Sequence, residues 1–314
     1  MPYASGHSDR NKAMVSRVWK SRWGASLVIC CGVIALSGCA GARSGSPVVA
    51  MLTDYGSGDA YVGVLSGAVL TRCQQARLVT ITHEAPDFDI QAASFLLGFA
   101  SAAFPEDTVF CTVVDPGVGT QRRSIILRTP AGRYFVGPDN GTFTDVINEQ
   151  GVAGVWKVNE AEFVGDRPLS QTFHGRDVYG PVAGLLAAGV SPDSMGTPID
   201  DPVRFEVPAP VRVGDCLRGV VRHVDGYGNI VTNIPGDWLP QLDSGGPAMV
   251  EARIAGKSGS FRRAKTYAAV RPGEGVALVN SLGVVELARN EASAGEVFDS
   301  PSSGSMVEVC SSSE

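Results

Sequence analysis

The chain has 314 residues, 44% of them hydrophobic and 18% charged, with a formal net charge of −6. That composition supports a sizeable buried core and excludes intrinsic disorder over most of the length. The acidic balance argues against a nucleic-acid partner, whose binding face carries a basic footprint.

The first 38 residues differ from the rest. Arg10, Lys12, Arg17, Lys20 and Arg22 precede an uncharged stretch from Ala25 to Leu36, the layout of an export signal. This run is 12 residues long, against the roughly 20 that a membrane-spanning helix needs. It ends in Leu36-Ser37-Gly38-Cys39, which resembles the bacterial lipobox. That resemblance implies cleavage before Cys39 and a diacylglycerol on its thiol. The expectation is a signal peptide over 1–38, then a flexible tether over 39–47 built of small residues. Removal of the signal leaves 21 Lys and Arg against 31 Asp and Glu, so a lipid anchor alone would hold the protein to a membrane. The expected location is outside the cytoplasm, on the periplasmic side or the cell surface.

From Val48 onward, short runs rich in β-branched residues alternate with helical stretches. Val48 to Thr53, Leu78 to Thr82 and Val109 to Val114 read as strands, with helices near Tyr61 to Cys73 and Ile90 to Phe104. This rhythm predicts a mainly parallel, Rossmann-like sheet flanked by helices over 48–205. Ligands of such sheets sit beyond the carboxyl ends of the strands, which puts Asp54, His83 and Asp115 first in line. Gly117-Val118-Gly119 reads as a tight turn after a strand, because a phosphate loop would need a third glycine or the Walker lysine. Strands at Ser124 to Arg128 and Tyr134 to Val136 follow, then a Pro138-Asp139-Asn140-Gly141 turn and a helix after Arg176. Pro202, Pro208 and Pro210 mark a change of composition. Beyond it, over 206–314, Val213 to Val224, Ile230 to Ile234, Ala248 to Ile254, Val276 to Asn280, Val284 to Ala288 and Met306 to Cys310 predict a small antiparallel β-barrel domain.

Cys73, Cys111, Cys216 and Cys310 allow three disulfide pairings or buried free thiols, and sequence does not choose. None has metal-ligand spacing. His83, His174 and His223 stand apart, so neither a catalytic metal nor a cofactor is expected.

Several segments taken together resemble the SAM hydroxide adenosyltransferase family, relatives of the bacterial fluorinase and chlorinase. They are Thr53-Asp54-Tyr55-Gly56 with Asp59; Val114-Asp115-Pro116-Gly117 with Arg122; Pro138-Asp139-Asn140-Gly141; Thr172-Phe173-His174-Gly175-Arg176-Asp177; Asp225-Gly226-Tyr227-Gly228-Asn229; Asn280-Ser281; and Arg289-Asn290. The resemblance implies hydrolysis of S-adenosylmethionine to adenosine and methionine. It implies that Asp115, Arg122 and His174 hold the attacking water, with the proton acceptor among them left open.

The same resemblance implies that Asp54 accepts the ribose diol. Asp59 and Asp225 would receive the methionine ammonium, and Ser281 its carboxylate, although Leu282 stands where halogenases often carry an arginine. Tyr227 and Asn229 would hold the adenine, with Arg289, Asn290 and Glu291 along the same edge and Phe88 packed against the ligand. A homotrimer with sites between subunits is implied as well. Two rivals stand beside this reading. One is a halogenase, in whose relatives the water-site residues are replaced, and the other is an exported lipoprotein that binds adenosyl compounds without turnover.

Overall fold

The computed structural model describes residues 45–163, 168–242 and 249–312. Cys39, the expected signal and most of the expected tether lie outside them.

The first sheet contains β1 (Val48–Thr53), β2 (Arg77–Thr82), β3 (Val109–Val113), β4 (Ser124–Arg128), β5 (Tyr134–Pro138), β6 (Gly154–Val158) and β7 (Gly196–Ile199). Their spatial order is β2-β1-β3-β5-β4-β6-β7. β2, β1, β3 and β5 run parallel, as the βαβαβ rhythm predicts. β4, β6 and β7 extend the sheet with antiparallel pairings.

Strand alternation divides the core between the two faces. Val49 and Met51 of β1 pack with Leu65 and Val69 of α1 (Tyr61–Arg72) and with Val182, Ala183 and Leu186 of α4 (Gly180–Ala187). Ala50 and Leu52 point the other way, toward Ala93 and Leu97 of α2 (Ile90–Ser101) and Val146 of α3 (Thr144–Gln150). The α2 helix starts at an Asp89 cap whose side chain accepts from the Ala92 amide at 2.9 Å. The short α3, β6 and β7 carry too few periodic residues to be read from sequence, and tertiary pairing makes them.

The second sheet holds β8 (Val211–Val213), β9 (Cys216–Val224), β10 (Ile230–Pro235), β11 (Met249–Ile254), β12 (Lys257–Arg263), β13 (Gly275–Val279), β14 (Val284–Arg289) and β15 (Met306–Ser311). A β9–β10 pairing closes seven of them into a barrel, and β8 lies outside on β9. The barrel is antiparallel except between β12 and β13, which pair in parallel at Arg262 with Val276 and Arg263 with Ala277. Leu217, Val221, Val250, Phe261, Leu287 and Val309 fill its interior. The disulfide question has an answer here: Cys216 of β9 is bonded to Cys310 of β15, and Cys73 and Cys111 are buried free thiols.

Residues 201–210 form no regular element. Asp201 takes a 2.7 Å hydrogen bond from Arg123, and the Val203 amide donates to Asp139, which holds this connection against the first sheet. Across the two sheets, Arg222 of β9 donates from Nη2 to both oxygens of Asp145 of α3 at 2.8 Å, and its guanidinium stacks over the Phe95 ring. Both ion-pair partners are largely buried. Among the described residues no helix is long and apolar enough to cross a membrane.

Candidate active site

Asp54 follows β1 directly and Asp115 stands two residues past β3, so both project from the carboxyl edge of the parallel strands. His174 reaches the same point from a different direction, at the start of a π-helical turn (Gly175–Tyr179) that runs into α4. Such widened turns recur at functional sites because they re-aim side chains that a regular helix would point elsewhere. Two glycines permit this convergence. Gly119 has φ +77°, and a Cβ there would overlap the Gln171 carbonyl oxygen, so only glycine lets the Asp115 loop lie against the His174 loop. At Gly175 a Cβ would overlap the Tyr55 hydroxyl. Asp177 secures the turn by accepting from the Ser170 amide and from Arg176.

The centre of the site is Arg122. Its Nε donates to Asp115 Oδ1 at 2.9 Å and its Nη2 to Asp115 Oδ2 at 2.5 Å, a two-pronged, charge-assisted pairing. Nη2 also lies 2.8 Å from His174 Nδ1. A guanidinium has no acceptor, so Nδ1 must accept and the imidazole proton sits on Nε2. Burial, then the Arg122 charge, hold the His174 pKa below its ordinary value, against Glu160, Asp115 and the Ser170 carbonyl, which act to raise it. His174 is thus a neutral donor. Among the described residues its Nε2 is buried and meets no acceptor in good hydrogen-bond geometry. Beneath the pair, the Tyr179 hydroxyl donates to Asp115 Oδ2 at 3.2 Å.

These groups open into a cavity of about 290 Å³ lined by Asp54, Tyr55, Tyr61, Phe88, Asp115 and His174, among others. Asp54 accepts the Phe88 amide at 3.1 Å. Its pKa is raised, first by burial and then by the nearby Asp87 and Asp115 charges, with the Phe88 amide opposing. Phe88 is 70% exposed at φ +61°, so it is a cavity wall and not a core residue. His83, though it stands at a strand end, has both ring nitrogens within hydrogen-bonding distance of Thr53 and Thr80 and lines neither cavity.

The remaining predicted residues are elsewhere. Asp225, Tyr227, Asn229, Arg289 and Glu291 line a second cavity of about 670 Å³ on the barrel, together with Tyr267 and Ser293. Within it Asp225 Oδ1 accepts the Tyr227 and Asn229 amides at 2.9 Å, which shapes the loop, and Tyr227 is 84% exposed. Ser281 shares a neighbouring groove with Asp225. Asn290 spends its side chain on the Val270 carbonyl, and Asp59 is exposed, two residues before the cavity residue Tyr61. Among the described residues none lines both the first and the second cavity. Sequence reading missed Tyr55, Tyr61, Asp87, Tyr179, Ser124 and Glu160. Of these, Tyr55, Asp87, Tyr61 and Ser124 stand within two residues of the predicted Asp54, Phe88, Asp59 and Arg122, whereas Glu160 has no predicted residue near it in sequence.

Among the described residues one cluster has metal-ligand spacing, Cys216, Glu308 and Cys310, and its sulfurs are joined in the disulfide.

An α/β sheet joined to a β-barrel, with a carboxylate, a guanidinium and an imidazole held together beside a cavity at the strand ends, is the architecture of an enzyme of small polar substrates. Comparison narrows that class. The SAM hydroxide adenosyltransferase N-terminal domain matches residues 49–196 and its C-terminal domain residues 219–304, and the chain belongs to this family. It is 34% identical to an (R)-S-adenosyl-L-methionine hydrolase of Thermus thermophilus over 80% of this chain and 94% of the relative. A protein of the same name from Methanocaldococcus jannaschii is 35% identical over 60% of this chain and 68% of its own. A fluorinase of an Actinoplanes species is 29% identical over 79% of this chain and 93% of the relative. An uncharacterized conserved protein of Thermotoga maritima has a crystal structure that superposes with a TM-score of 0.75 at 35% identity, covering 83% of this chain and 99% of that one.

Proposed function

We infer that the protein hydrolyses S-adenosyl-L-methionine to adenosine and L-methionine. The observation that carries this reading is the Asp115 carboxylate and the His174 imidazole held by one guanidinium at the wall of the first cavity. A water in that cavity that donates to Asp115 is held beside the carboxylate that takes its proton. The water oxygen attacks C5′ in line with sulfur. The C5′–O bond forms as the C5′–S bond breaks, its electron pair neutralises the sulfonium, and the water proton passes to Asp115 and then to solvent. A neutral thioether leaves, so no acid is needed on that side. Arg122 donates and cannot accept, and His174 Nδ1 is occupied, which leaves Asp115 as the proton acceptor of the three.

The substrate's two ends match the two cavities. Asp54 suits the ribose diol beside the water, while Tyr227, Asn229, Arg289 and Glu291 suit the adenine. We place the complete site between the first cavity of one subunit and the barrel cavity of another, in the homotrimer that the resemblance to the family implies. Export and anchoring through Cys39 complete the proposal, supported by the Leu36-Ser37-Gly38-Cys39 signal and by a disulfide suited to an oxidising compartment. Labelled fatty acid should enter the wild-type protein in a host with lipoprotein processing and should not enter Cys39→Ser.

The activity is tested by incubating the purified protein with S-adenosyl-L-methionine in ¹⁸O-water. Adenosine labelled at its 5′-oxygen is expected. Adenosine without label would overturn in-line attack by water, and a halide-dependent halogenated nucleoside would move the protein to the halogenases.

A further inference from the structure

Arg122 directs its remaining nitrogen, Nη1, away from Asp115 and His174. It donates to Ser124 Oγ at 3.2 Å and lies 3.6 Å from Glu160 Oε1. Ser124 itself donates to Glu160 Oε1 at 2.5 Å and sits 3.3 Å from the Tyr179 hydroxyl. Glu160 opens a single 3₁₀ turn (Glu160–Phe163) just after β6, while Ser124 is the first residue of β4, so two neighbouring strands deliver the pair beneath the guanidinium. Ser124 is 1% exposed and the Glu160 side chain 23%. Neither residue lines the substrate cavity.

We propose that Glu160, anchored by Ser124, is a positioning residue that fixes the Arg122 guanidinium from behind and supplies the second negative charge of the water site. The geometry gives it two effects. First, Arg122 has four N–H bonds in use, to Asp115 twice, to His174 and to Ser124, with Glu160 facing Nη1. A guanidinium held on all sides cannot rotate out of the plane that aligns Asp115 with His174. Second, one arginine now faces two carboxylates. With Asp115 alone, the arginine would cancel the carboxylate's charge. With Glu160 the group stays net negative, which opposes the Arg122 charge at His174. A net negative site also complements the positive sulfonium that the proposed reaction brings to it.

The charged and titratable groups facing His174 are Arg122, Asp115 and Glu160, with the Tyr179 ring packed beside it. Removing one negative charge from that set should make the imidazole harder to protonate. The test is therefore double. In Glu160→Gln, NMR titration of His174 should show its pKa below the wild-type value, with no substrate present. In parallel, kcat on S-adenosyl-L-methionine should fall about tenfold, KM should stay within about twofold, and the acid limb of the pH profile should follow the His174 titration. Glu160→Asp should recover the titration. Ser124→Ala, which keeps the charge but removes its anchor, should lower kcat and leave the titration near wild type. A folded Glu160→Gln protein whose His174 titration and kcat match wild type overturns the inference. So does a fall in kcat with an unmoved titration and a lowered Tm, which marks a merely structural residue. The kinetic arm rests on the proposed hydrolysis, whereas the titration does not. A wild-type protein that makes no adenosine would sink the activity and leave Glu160's electrostatic role still tested by NMR.

Discussion

His174 illustrates how one hydrogen bond decides a residue's role. A histidine near an aspartate can be acid, base or spacer, and its unperturbed pKa allows all three near neutrality. The Arg122 donor at Nδ1 removes the base option and leaves a neutral imidazole that donates from Nε2. The sign of the pH dependence follows. The folded pKa lies below the unfolded value of about 6.5, so in the window just under that value the unfolded chain binds more protons and stability is lost as pH falls. Protonation would also place a hydrogen on Nδ1, against Arg122. We expect kcat and Tm both to decline as pH drops below about 6.5, and the Tm component to be smaller in His174→Ala. A His174→Ala protein whose Tm keeps the full acid dependence would assign it to another group. Asp115→Asn should lower kcat by about 10²–10⁴ with little change in substrate affinity, read by calorimetry.

At the scale of elements, the site depends on two loops meeting. The turn after β3 and the turn before α4 touch where Gly119 faces the Gln171 carbonyl. Gly119→Ala combines a positive φ with that overlap, so we expect a stability loss of about 1–3 kcal/mol and a larger proportional loss of kcat, because Asp115 and His174 would separate. Denaturant midpoints and kcat measured on one preparation check this, and a stability loss with unchanged kcat would show that the loops move together. The Cys216–Cys310 bond joins neighbouring strands of the barrel but spans 94 residues of sequence. Replacing both cysteines with alanine should cost about 2–5 kcal/mol, visible as a lower denaturant midpoint that reductant reproduces in the wild type.

For the whole molecule, the separation of the two cavities gives the proposed trimer a direct test. Asp115→Asn disables the water site and Asp225→Ala disturbs the Tyr227 and Asn229 loop. If one subunit lends its first cavity and its neighbour lends the barrel, mixing these two inactive variants through reversible dissociation should restore part of the activity, since some interfaces then pair two intact halves. Mixtures no more active than either parent would mean that the sites are complete within single chains.

The sequence by itself determined the alternation of strands and helices, the barrel's run of short strands and the residues at the ends of β1 and β3, because β-branched runs and strand-end carboxylates are local features. Predicted strands at 48–53 and 124–128 coincide with β1 and β4. It also pointed to Asp115, Arg122 and His174 through the family motifs. Tertiary structure decided the rest. The antiparallel extension of the first sheet, the parallel β12–β13 pair and the choice of Cys216 with Cys310 are matters of which strands become neighbours, and no local pattern encodes that. The His174 tautomer and the presence of Glu160, Ser124 and Tyr179 under Arg122 depend on side chains from β4, the 3₁₀ turn after β6 and the π-helical turn before α4 meeting within 2.5 to 3.6 Å, across up to 55 residues of chain. The electrostatics of the water site was decided only there, because Coulomb interactions depend on distance in space and not on distance along the sequence.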